Sequence, residues 1–108
     1  MNKHLFLNNI VLNFATKRDP MSRFEDLETF ATVVETGSFT AAAERLDKAK
    51  SAVSRRVAAL EKRLGVQLIR RTTRRLNLTD SGRSFYEQAS RILSDLDEAE
   101  SAVAESHG

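Results

Sequence analysis

The stretch whose reading decides the fold is KSAVSRRVAALEKRLG, Lys50 to Gly65. Val53, Val57, Leu60 and Leu64 recur at intervals of four, three and four, the spacing of one helical face. Gly65 follows as a left-handed stop. With the apolar residues turned inward, the outward side of the first turns is Lys50, Ser51, Ser54 and Arg55. Short hydroxyl side chains there permit close approach to a flat or grooved partner, and Lys and Arg favour an anionic one. The same pattern on an isolated helix would describe an ordinary solvated basic face, so the neighbours decide between the two readings.

Upstream, Phe24, Leu27, Phe30, Ala31 and Val34 put an apolar face on a helix over residues 23–36. Gly37 ends that helix, and Ser38 or Thr40 can cap the next. The second helix, TAAAERL, is short and rich in alanine, so a partner helix can approach closely; a break is expected at Asp47–Ala49. Downstream, Val66 and Leu68 flank Gln67, and Leu76 and Leu78 flank Asn77, two strand-like alternations on either side of RRTTRR. Thr79 then caps a long helix with Asp80 near its positive end. Phe85, Ala89, Ile92, Leu96, Ala99 and Val103 run down it at alternating spacings of four and three. A rod of about 40 Å cannot bury such a stripe on so small a body, so a second chain is the expected partner.

Charge agrees with this organisation. The chain of 108 residues carries a net charge of only +2, but eleven basic residues between Arg45 and Arg75 face only Asp47 and Glu61. Residues 80–108 hold two basic and seven acidic residues. A basic middle between acidic flanks points to a polyanion-binding surface. Four arginines within the six residues of RRTTRR repel one another unless a polyanion lies against them, and Thr72 and Thr73 could add hydrogen bonds to phosphate.

The expected fold class is therefore mostly α: a winged helix-turn-helix of three helices plus a two-stranded wing over residues 21–79, followed by a long dimerising linker helix over 80–108. Ala43 is the small residue that lets the first helix of the motif pack on the second, with Leu46, Val53 and Val57 between them. Asp47 stands where glycine is preferred, and Asp tolerates left-handed backbone better than most residues. Lys48 stands where an apolar residue is usual. Residues 1–20 read as a poorly ordered extension, because Asn8, Asn9 and Asn13 interrupt its apolar run and no clear signal-peptide cleavage pattern follows. Met21 is an alternative translation start.

FEDLETFATVVETGSFTAAAERL, SAVSRRVAALEKRLGVQL and RTTRRLNLTDSG together resemble the N-terminal DNA-binding domain of LysR-type transcriptional regulators, over residues 22–106. The resemblance implies a bacterial, dimeric regulator that binds interrupted palindromes in double-stranded DNA through its recognition helix and wing, its linker helix pairing antiparallel with a second subunit's. By position it places base reading on Lys50, Ser51, Ser54 and Arg55, and phosphate and wing contacts on Thr40, Arg71, Arg74 and Arg75; Arg56 and Thr72 join the phosphate set. The homodimer seam falls on Phe85, Ala89, Ile92, Leu96, Ala99 and Val103. Many members carry Ser-Gln where this chain has Ala49-Lys50, which removes a cap hydroxyl and favours guanine or phosphate over adenine. Family members continue into a two-lobed small-molecule-binding domain, so these residues are expected to be an isolated DNA-binding fragment or a truncated protein, with no effector.

Other functions have less in the sequence to support them. A non-specific DNA-compacting protein would share the charge, and a coiled-coil interaction module would share the seam. With no cysteine, disulfides and thiolate metal sites are excluded, and a reducing cytoplasm fits. The only histidines are His4 and His107, near the chain ends, and no nucleophile–base pair is apparent. No enzyme activity, cofactor, metal or membrane association is expected.

Overall fold

The computed structural model describes residues 20–72 and 75–107, and side chains within 23–72 and 75–106. The expected extension lies outside the described residues except for Pro20, whose fixed φ suits the first position of a helix. From there the chain forms α1 (Pro20–Thr36), α2 (Phe39–Leu46), α3 (Lys50–Leu64), β1 (Ile69–Arg71), β2 (Leu76–Leu78) and α4 (Asp80–His107). Among the described residues no helix is long and apolar enough to cross a membrane.

Each boundary has a local cause. Gly37 adopts φ 73° and returns its N–H to the Val33 carbonyl at 2.9 Å, closing α1. Of the two candidate caps for α2, Ser38 takes the role, its Oγ accepting from the Ala41 N–H at 3.1 Å and leaving Thr40 exposed. Asp47 holds φ 55°, and the Lys48 N–H reaches back to the Ala43 carbonyl at 2.9 Å, a left-handed closure of the kind glycine usually makes. Lys48 is exposed in this bend, so a charge there costs no burial. Gly65 ends α3 at φ 71°.

The core lies where α1, α2 and α3 meet, with Phe30, Val33, Ala42, Ala43, Val53, Val57 and Leu60 all buried. Val34 packs partly buried against this core as expected, and Val33 is fully covered as well, because α1 is flanked by α2, α3 and α4 and its buried surface is wider than one stripe. The wing departs from the sequence reading. Its first strand begins at Ile69 rather than Val66, and the antiparallel register pairs Ile69 with Leu78, Arg70 with Asn77 and Arg71 with Leu76. Leu68 and Ile69 are both buried, which breaks the alternation. Their N–H groups donate to the Glu61 carboxylate at 2.8 and 3.1 Å, so a side chain of α3 occupies the place of a strand partner.

Thr79 joins the wing to α4. Its hydroxyl donates to the Gln67 carbonyl at 2.6 Å and accepts from the Gly82 N–H at 2.9 Å, and its own N–H reaches the Leu68 carbonyl at 3.0 Å. Gly82 packs so closely on the Leu68 carbonyl that a Cβ could not be accommodated without moving backbone. The start of α4 is thereby anchored to the segment between α3 and β1.

Candidate nucleic-acid interface

At the start of α3 the two faces separate cleanly. Val53 and Val57 are buried, while Lys50, Ser51 and Arg55 are exposed and Ser54 is half-buried at the margin. The four residues expected to read bases therefore share the open side of one helix. Ala49 caps α3 through its backbone alone, with no side-chain hydrogen bond.

Arg56, adjacent to Arg55, is placed differently from the expectation. Its guanidinium meets Glu25 at 3.0 Å and Asp26 at 3.1 Å, and its side chain is only 32% exposed. Arg63, two turns further along α3, donates to the other Asp26 oxygen at 3.2 Å. The Asp26 side chain is wholly buried, and a buried carboxylate is tolerable only when paired and hydrogen-bonded. Arg56 thus ties α3 to α1, and its charge is answered within the fold. Asp26 was not singled out from the sequence because its partners lie 30 and 37 positions away. One signal was available: Asp26, Phe30 and Val33 follow the four-then-three spacing of the buried face of α1.

The wing supplies the second cationic group. Arg71 and Arg75 are exposed, and the Arg71 guanidinium lies 4.9 Å from the centre of the Phe39 ring. Thr72 is spent on the turn itself, its hydroxyl donating to the Arg75 carbonyl at 2.8 Å and accepting from the Arg75 N–H at 3.2 Å. Arg74 and Thr73 lie outside the described residues. Thr40, Lys50, Arg71 and Arg75 line one open cleft of about 610 Å³, which joins the N-terminus of α2, the start of α3 and the wing.

The expected dimer seam divides in two. Ala89 is fully buried, and Phe85 packs on Phe30 with ring centres 5.4 Å apart, so both belong to the core of the chain itself. Ile92, Leu96 and Val103 are 52%, 40% and 60% exposed, and Ala99 is exposed with them. An apolar hollow of about 430 Å³, lined by Phe24, Leu27, Leu60, Leu64, Phe85 and Ile92, adjoins the open part of the stripe. No group of three or more metal-ligating side chains that could hold an ion occurs among the described residues.

Comparison with known proteins agrees with this geometry. The family model described as "Bacterial regulatory helix-turn-helix protein, lysR family" matches residues 24–83. The HTH-type transcriptional regulator CrgA of Neisseria meningitidis is 49% identical over 83 residues, which span 77% of this chain and 28% of CrgA. Among solved structures, the DNA-binding domain of BenM in complex with catB site 1 DNA superposes with a TM-score of 0.72 at 38% identity, covering 76% of this chain and 91% of that one. The DNA-binding domain of CbnR in its DNA complex gives a TM-score of 0.69 at 35% identity, covering 79% and 98%. The chain thus matches little more than a quarter of the curated relative CrgA and nearly the whole of the two isolated domains.

Proposed function

The chain belongs to the lysR family of bacterial regulatory helix-turn-helix proteins, and on that premise we propose that it binds specific sites in double-stranded DNA as a homodimer and so controls transcription. It acts in the cytoplasm, by binding and without a catalytic step. The observation that carries this reading is the shared exposure of Lys50, Ser51 and Arg55 on one side of α3, beside a cleft that also takes in Arg71 and Arg75. A helix start with short hydroxyls between long cations fits a major groove, where Lys and Arg reach guanine O6 and N7. The wing and Thr40 flank it, where backbone phosphates run.

Each named side chain then has its own part. Arg55 and Lys50 read base edges, while Ser51 and Ser54 allow the helix to sit deep and donate from their hydroxyls. Arg71, Arg75 and Thr40 contact phosphate and set the register of the helix on the duplex. Two copies paired through Ile92, Leu96, Ala99 and Val103 would present two recognition helices to half-sites about 34 Å apart or a multiple of that.

Selection of bound duplexes from a random pool tests the reading, and a motif with two-fold symmetry is expected. Recovery of duplexes with no common motif would replace it with non-specific compaction. Arg55→Ala should weaken binding to the selected site by about 1–3 kcal/mol and binding to scrambled DNA far less. Arg75→Ala should weaken both alike and lower the slope of log affinity against log salt by about one.

A further inference from the structure

Phe39 opens α2 between the capping Ser38 and the exposed Thr40. Half-buried, it packs one side on the core and carries the Arg71 guanidinium of β1 at 4.9 Å from its ring centre. It is thus a side chain through which the helix-turn-helix touches the wing beside the cationic cleft. We propose that Phe39 is a positioning residue for DNA binding: its ring holds Arg71 at the cleft shared with Thr40, Lys50 and Arg75, and assigns Arg71 to a backbone phosphate at the start of α2 rather than to the minor groove. This rests on the DNA-binding reading above.

The physical case is a contrast between two arginines. Arg56 is answered by two carboxylates, which offset its charge and engage both of its terminal nitrogens. An aromatic ring attracts a guanidinium through its quadrupole and takes no hydrogen-bond donor, so the N–H groups stay available for phosphate oxygens. The ring also restricts a long side chain that would otherwise lose its freedom when DNA binds. Arg71, Lys50, Arg75 and the positive end of the α2 dipole are all of one sign around the cleft, and an anion seated between them relieves every pairwise repulsion at once.

The test uses the full chain with Phe39→Leu and Phe39→Trp, each made with Arg71 present and with Arg71→Ala. Affinity for a selected and a scrambled duplex is read by fluorescence anisotropy, with thermal melting to report folding. Phe39→Leu should weaken both duplexes by about two- to fivefold, while Trp, a better cation-binding ring, keeps wild-type affinity. In the Arg71→Ala background Phe39→Leu should cost nothing further. An equal loss in both backgrounds would show that Phe39 acts by packing alone and overturn the proposal. Proton NMR supplies an independent check: the Arg71 side-chain methylene signals should be ring-shifted in the wild type and return to ordinary positions in Phe39→Leu, and unshifted wild-type signals would remove the contact. A wild type that binds neither duplex sinks the DNA-binding reading and this role with it. A wild type that binds, matched by a Phe39→Leu variant that binds equally well, sinks this role alone.

Discussion

One apolar pattern runs along α4, and its two halves meet different fates. In the proximal half Ala89 is fully buried and Phe85 packs at a tilt against Phe30, so the stripe completes the core of its own chain. In the distal half Ile92, Leu96 and Val103 stay 40–60% exposed. The periodicity is the same in both; what differs is whether the compact body reaches that far. The difference teaches that a heptad marks a surface to be covered and leaves open which surface covers it.

The sharpest way to break the comparison is to charge the distal half. Leu96→Glu should leave the melting of the chain nearly unchanged but raise the dimer dissociation constant at least 100-fold, since a two-fold interface counts each lost leucine twice at about 1.5–3 kcal/mol apiece. Analytical ultracentrifugation decides this, and an unchanged dimer would place the interface elsewhere. At the root of the proximal half, Gly82→Ala should destabilise the fold by about 3 kcal/mol, because its Cβ meets the Leu68 carbonyl and backbone must move. Denaturant unfolding reads that loss.

A paired substitution sharpens the contrast further. Ala89→Leu should cost about 1–3 kcal/mol of fold stability by overpacking. Ala99→Leu, on the same stripe ten residues on but exposed, should cost the fold nothing. Equal losses in urea would mean that the two halves are alike after all. The smallest effect concerns Tyr86, also on the proximal half, whose hydroxyl donates to Glu35 Oε2 at 3.2 Å. Burial first, and then the Glu35 charge, raises its pKa above the ordinary 10.0. A group whose pKa is higher folded than unfolded contributes stability that is complete below the unfolded value and fades as pH rises through the folded one. Melting temperature should therefore fall slightly as pH rises beyond about 10, and Tyr86→Phe should remove that component of the fall.

A second pair of regions, the two sides of α3, explains what could be read in advance. Val53, Val57 and Leu60 repeat at helical spacing, and Gly65 and Asp47 mark where the helix and the turn before it must bend. Those signals are local, so the helix bounds and its open side were legible. Arg55 and Arg56 look alike in the sequence, and their separation was not legible, because it depends on Asp26 arriving from another helix. The start of β1 is hidden from the sequence for a similar reason: Glu61 reaches across a turn to take the Leu68 and Ile69 N–H groups.

The sequence by itself determined the helix order, the left-handed turns, the cap at Thr79, and the basic side of α3. Each of these follows from spacing or backbone chemistry within a few residues. Only the tertiary structure decided which arginines are consumed in the fold, which ring stands beside Arg71, and where along α4 the core ends. Those outcomes turn on distances between segments tens of residues apart, and a linear pattern carries no information about what will face a side chain across that gap.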